Sequence, residues 1–68
     1  MKQTKIEMHS GEVTDEILNI VRNYDFYTQM IENSGQRQAA YERNRILEQQ
    51  LRQLGVAKIS NNNFTITI

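Results

Sequence analysis

ENSGQRQAAYERNRILEQQLRQLG, residues 32–55, decides how this chain folds. It reads either as the continuation of the apolar-periodic stretch before it or as the return arm of a helical hairpin. The phase of the apolar residues separates the two. Upstream, at about 100° per residue, Ile17, Ile20, Val21, Tyr24, Tyr27 and Ile31 fall within an arc roughly 120° wide. Downstream, Ala40, Asn44, Leu47, Leu51 and Leu54 follow one another at spacings of four, three, four and three, the narrow seam of paired helices. On one unbroken helix the two lines would point roughly 160° apart, and no single core could take both. A reversal at Asn33–Gly35 puts both inside. Asn33 and Ser34 favour turns, and Gly35 can take the left-handed conformation that closes a helix. The segment is therefore the second arm of an antiparallel helical hairpin.

Working outward, the first arm starts at Thr14. It is a plausible N-cap, followed by Asp15 and Glu16 at the positive end of the dipole, with Val13 and Leu18 placed as a hydrophobic staple. Leu18, Phe26 and Met30 lie outside the core arc. The second arm stops at Gly55, where a left-handed cap residue belongs, with Val56 free to fold back on Leu51. Residues 3–9, QTKIEMH, alternate with strand period, Ile6 and Met8 on one side and Lys5, Glu7 and His9 on the other. At the C-terminus, VAKIS and FTITI flank the triple asparagine of 61–63, expected to turn in three residues through positive φ. Ala57 and Ile59 are expected to share a face with Phe64, Ile66 and Ile68. The fold class is α+β in the order β-α-α-β-β. A two-helix hairpin packs on a small antiparallel sheet formed by the N-terminal strand and a C-terminal β-hairpin. Residues 1–68 form one domain.

The totals narrow the function. A chain of 68 residues buries only about 60% of its unfolded surface, and domains this small usually need a staple. With no cysteine and a single histidine, neither disulfides nor a thiolate or histidine-rich metal site can supply it. Self-association is the staple that remains, and a homodimer is expected. No apolar run approaches the roughly 18 residues of a membrane span, and there is no signal-peptide core. The expected location is cytoplasmic, without membrane contact. Formal net charge is zero, unlike a general phosphate-tracking protein. The halves nevertheless differ: residues 1–34 carry three basic and six acidic side chains, and residues 35–68 carry five basic and two acidic.

No constellation supports catalysis, a metal or a cofactor. His9 beside Ser10 makes no dyad, because neighbouring side chains on a strand diverge. Glu7, His9 and Glu12 fall short of the four ordered ligands of a closed metal site. No phosphate-binding glycine motif is present. The expectation is a non-enzymatic protein-binding module, a homodimeric regulator, adaptor or inhibitor of another protein. Its richness in asparagine and glutamine is shared with many accessory proteins of phages and mobile elements. Phe26, Met30 and Ile46 are the expected apolar contact residues, with Tyr41, Arg45 and Arg52 on another side of the second helix. Asn44, Leu47 and Leu51 are expected to set register or to meet a second copy, since an amide in an apolar seam fixes pairing at a cost in stability. The alternative is a small dimeric DNA-binding regulator of ribbon-helix-helix or helix-turn-helix type, contacting nucleic acid through Lys2, Lys5, Arg37, Arg45 and Arg52. The glutamates interleaved with these arginines weigh against it, since Glu48 and Arg52 stand at i,i+4 and Glu42 and Arg45 at i,i+3.

Overall fold

The computed structural model describes residues 4–33, 35 and 37–68. The order is β1 (Lys5–Met8), α1 (Asp15–Asn33), α2 (Arg37–Gln53), β2 (Val56–Ser60) and β3 (Thr65–Thr67). Of the expected reversal at Asn33–Gly35, Ser34 lies outside the described residues. The three strands form an antiparallel sheet in the spatial order β1-β2-β3, so the N-terminal strand and the C-terminal hairpin share β2 as their centre. The helices pair with each other, and α2 packs on β2.

Thr14 caps α1 as its side chain allows: Oγ1 accepts the Ile17 amide at 3.3 Å, and the Thr14 carbonyl accepts the Leu18 amide at 3.0 Å. Val13 and Leu18, the expected staple pair, both stay exposed. Along α1 the core arc is realised. Ile17, Val21 and Tyr24 are buried, while Ile20, Tyr27 and Ile31 are half-buried. Along α2, Ala40, Asn44 and Leu51 are buried and Leu47 and Leu54 half-buried. Ile17, Val21 and Leu51 meet Val56 and Ile59 of β2 in one cluster, with Ile6, Met8, Phe64, Ile66 and Ile68 packed around it.

Two expectations for the C-terminal hairpin are corrected. Val56, not Ala57, is the first core residue of β2, and it is fully buried. The reason is a β-bulge: Glu7 pairs with Lys58 and Met8 with Val56, leaving Ala57 without a partner on β1. The extra residue reverses the alternation, so Val56 and Ile59 both face the helices. Nor do the asparagines use positive φ, which no described non-glycine residue adopts. Ser60 pairs with Thr65, so the loop has four residues. Asn61 closes it with its own carboxamide: Oδ1 accepts the amides of Asn63 (2.8 Å) and Phe64 (3.1 Å), while the Asn61 amide donates to the Phe64 carbonyl at 2.9 Å. An asparagine side chain standing in for backbone makes the turn without a left-handed residue.

Gly55 ends α2 with φ 91°. Its amide donates to the Arg52 carbonyl at 3.1 Å, and its own carbonyl accepts the His9 amide at 2.7 Å. A Cβ here would lie 2.6 Å from the Ser10 carbonyl oxygen, whereas at Gly11 (φ 80°) a Cβ would meet nothing within 4 Å. The two glycines therefore separate conformational from steric cost. Gly11→Ala should lower stability by about 1 kcal/mol through φ alone. Gly55→Ala should lower it by about 3 kcal/mol, because the φ penalty and the collision with backbone add. Urea unfolding of both variants checks this, and equal losses would contradict the crossing geometry.

Candidate functional site

Two helices lying antiparallel leave a groove on each side of their seam. One groove faces the sheet's hairpin loop. It has a volume of about 260 Å³ and is lined by Tyr24, Thr28 and Ile31 of α1, by Tyr41, Asn44, Arg45 and Glu48 of α2, and by Phe64. The loop holds this side tightly to α1. The Phe64 ring lies 4.8 Å from that of Tyr24, tilted by 56°, and Asn63 Nδ2 donates to Asp25 Oδ1 at 2.7 Å. Burial, together with the nearby negative charge of Glu48, pushes the Tyr24 phenol up to about 12.

The other groove runs along the outer side of the hairpin, and no residue of the sheet lines it. Its two halves differ in chemistry. Near the start of α1 and the end of α2, a cavity of about 580 Å³ is lined by the amides of Asn19, Asn23, Gln50 and Gln53, with Glu16, Ile20 and Leu54. Near the reversal, a cavity of about 390 Å³ is lined by Tyr27, Met30, Ala39, Ala40 and Ile46, with Glu42 and Arg43. Phe26 extends this apolar half, its ring edge-on to Tyr27 at 5.4 Å. Phe26 is 60% and Ile46 50% exposed.

The structure therefore divides the expected contact residues. Met30 and Ile46 come together on the outer side, and Phe26 stands edge-on to Tyr27 of the same groove. Tyr41 and Arg45 stand on the opposite flank of α2 beside Phe64, and Arg52 is exposed but lines neither groove. Asn44 and Leu51 are enclosed within the chain's own packing, Leu51 completely, and Leu47 is half-buried. Asn44 Nδ2 donates to Thr28 Oγ1 at 3.2 Å, and the Thr28 hydroxyl donates to the Tyr24 carbonyl at 2.8 Å. Asn44 Oδ1 is buried with no hydrogen-bond partner. The amide cluster of Asn19, Asn23, Gln50 and Gln53 was missed in the sequence. The signal was present, since on each helix these residues are three or four positions apart, but their partners are on the other helix.

The nucleic-acid set is not assembled into one surface. Lys2 lies outside the described residues. Lys5 sits on β1 opposite Ser60, while Arg37 and Arg52, both exposed, stand about 22 Å apart along α2. β1 is paired to β2 within the chain. Among the described residues no group of three or more histidines, cysteines, aspartates or glutamates could hold a metal ion. No helix is long and apolar enough to cross a membrane, among the described residues.

Two outcomes test the seam. The phenol of Tyr24 titrates higher in the folded than in the unfolded chain, so its contribution is complete below pH 10 and is lost as pH rises from about 10 to about 12. Urea midpoints measured at pH 8 and pH 11.5 should fall less for Tyr24→Phe than for wild type; an identical fall would contradict this assignment. Asn44→Leu removes a half-satisfied buried amide, while Thr28 keeps its bond to the Tyr24 carbonyl. It should leave stability unchanged or raise it by about 1 kcal/mol. A loss above about 1 kcal/mol in urea unfolding would show that the amide is fully satisfied.

Comparison with protein families, with curated proteins and with solved structures finds no match to this chain.

Proposed function

We propose that this chain is a small, non-enzymatic, cytoplasmic protein-binding module that works through the outer side of its helical hairpin. The observation that carries the reading is the apolar half of the outer groove, where exposed Phe26 and Ile46 flank Tyr27, Met30 and Ala39. Large exposed aromatic and aliphatic side chains gathered beside a groove are what contact surfaces use as anchors. Methionine suits such a surface because its side chain adapts to the shape it meets. Exposed Phe26 and Ile46 lie outside the core cluster, which is built from Ile17, Val21, Leu51, Val56 and Ile59. The scattered arginines give the DNA-binding alternative no comparable surface.

The test is affinity capture from the host cell with wild type and Phe26→Asp side by side. Residue 26 is exposed, so the substitution should leave the circular dichroism spectrum and the thermal midpoint within a few degrees of wild type. Wild type should retain one specific protein and the variant should lose it. Retention of the same protein by both would remove this side of the hairpin from the binding function.

A further inference from the structure

β1 is an end strand of the sheet, paired with β2 on one side only among the described residues. Two hydrogen bonds fix the direction of its backbone groups. The His9 amide donates to the Gly55 carbonyl, and the groups of a strand turn to alternate sides. Lys5 and Glu7 therefore address β2, as His9 does. The Ile68 amide, which donates to the Ala57 carbonyl, agrees. Ala57 and Ile59 address β3, which leaves Ser60 and Lys58 facing their partners Lys5 and Glu7. The amides and carbonyls of Ile6 and Met8 are thus directed out of the sheet, where no described strand takes them. An edge of this kind pairs with another strand unless something blunts it. The chain has no proline, and the bulge places its extra residue in β2 rather than β1. Lys5 remains as a guard.

The side chains select the strand that fits. Ile6 and Met8 pack against the core cluster yet stay half-buried, while Lys5 and Glu7, on the other face, are exposed. Lay a second β1 antiparallel along the open edge, with the two-fold axis between the two Ile6 residues. Opposing residues of an antiparallel pair project from the same face. Ile6 then meets its own counterpart on the apolar face and exchanges both backbone bonds with it. Lys5 meets the partner subunit's Glu7, and Glu7 meets the partner subunit's Lys5. These are non-hydrogen-bonded positions, where opposing side chains come closest. An axis on Lys5 would set lysine against lysine, and one on Glu7 glutamate against glutamate. An axis on Met8 would carry Lys5 past the end of the partner strand. Reciprocal contact is what a two-fold interface requires, and the register centred on Ile6 supplies it in charge. At the opposite edge, β3 has three residues and no charge to fix a register. Of the described elements, only β2 approaches β1 within 8 Å between Cα atoms, so no helix crowds the edge. We propose that two copies of this chain pair edge to edge through β1, antiparallel and centred on Ile6, to make one continuous sheet in the order β3-β2-β1-β1-β2-β3. Lys5, Ile6, Glu7 and Met8 do not line the outer groove of the hairpin, so this pairing is independent of the contact surface proposed above.

The test is sedimentation equilibrium of full-length chains at micromolar concentration, and wild type should sediment at twice 8.0 kDa. Lys5→Glu sets glutamate against the partner subunit's Glu7, and Glu7→Lys sets lysine against the partner subunit's Lys5. Each variant alone should self-associate at least about tenfold more weakly. Mixed, the two oppose unlike charges at both contacts and should form a heterodimer of near wild-type affinity. Both positions are exposed, so circular dichroism should show unchanged folding. A second readout needs no substitution. As wild-type concentration rises, hydrogen exchange at the Ile6 and Met8 amides should slow more than at Lys5 and Glu7, whose amides are already bonded within the sheet. A third uses the absence of cysteine in the chain. Lys5→Cys and Glu7→Cys chains, mixed under mild oxidation, should give a covalent heterodimer. Two copies of either one hold their cysteines diagonally, about 7–8 Å apart between Cα atoms and beyond disulfide reach, and should not cross-link. A wild-type monomer, swaps that remain dimeric, a mixture that fails to restore pairing, Ile6 and Met8 amides that exchange freely in the dimer, or cross-linking of like positions would each overturn the proposal. Phe26→Asp lies outside this edge and should sediment as wild type does. A monomer whose Ile6 and Met8 amides become protected only on binding its captured protein would give the edge to a strand of that protein and overturn self-pairing.

Discussion

The close crossing at Gly55 is the constraint on which the arrangement of layers depends. The chain must leave α2, turn and enter β2 while the end of β1 passes beside it. The Gly55 carbonyl takes the His9 amide at 2.7 Å, and the Ser10 carbonyl oxygen occupies the space in which any other residue would place its Cβ. That contact lets β1, more than forty residues away in sequence, join β2 at the point where the helix ends. Val56 is then delivered directly beneath Leu51, Ile17 and Val21. A looser junction would carry β2 away from α2, and the helices would lose the surface that buries their inner stripes. The bulge at Ala57 belongs to the same geometry. It turns the strand by one residue so that both Val56 and Ile59 face inward, which strict alternation would forbid.

Much of this was legible in the sequence because the main signals are periodic and local. The phase difference between the stripes of 17–31 and 40–54 required a reversal, and Thr14 and Gly55 marked a start and a stop through their own backbone chemistry. What was not legible depended on partners far away in the chain. The bulge is created by the pairing of Met8 with Val56, and nothing within VAKIS announces it. The asparagine turn was legible in position, but neither its length nor its mechanism was. A carboxamide accepting two amides and a positive φ are both available to asparagine, and only the paired strands select between them. The partner of Asn44 was missed for a related reason. Thr28 is polar and carried no apolar signal, yet it sits level with Asn44 across the seam.

The candidate site was legible only in part. Phe26 and Met30 stood out as residues off the core arc of their helix, and Ile46 as one off the seam of its own. Their meeting on one side of the hairpin follows from which flanks the reversal brings together, a property of the pair of helices and not of either alone. The same step separates Tyr41 and Arg45 from them, onto the flank closed by Phe64. The acid–base bookkeeping within α2 also changes in three dimensions. Glu48 exerts its charge on the Tyr24 phenol across the seam.

Helix α2 consequently has two lines of residues with different tasks. The inner line, Ala40, Asn44, Leu47, Leu51 and Leu54, is consumed by the hairpin and the sheet. The outer line, Ala39, Glu42, Arg43 and Ile46, lies about 60–160° away around the helix and lines a groove that, among the described residues, no strand lines. A helix in a two-layer domain needs only one apolar stripe, and the other side is ordinarily polar throughout. Here the polar outer side holds at the Gln50 and Gln53 end and gives way near the reversal, where α1 contributes Tyr27 and Met30 to the lining that includes Ile46, with Phe26 edge-on to Tyr27. That change along a single groove restricts apolar exposure to one end of the hairpin, and the alternation of Glu42 and Arg43 within it supplies equal and opposite charge. A uniformly acidic or basic rim would select a partner of opposite sign. A rim carrying both signs one residue apart, as Glu42 and Arg43 do, gives this end of the groove no net charge of its own.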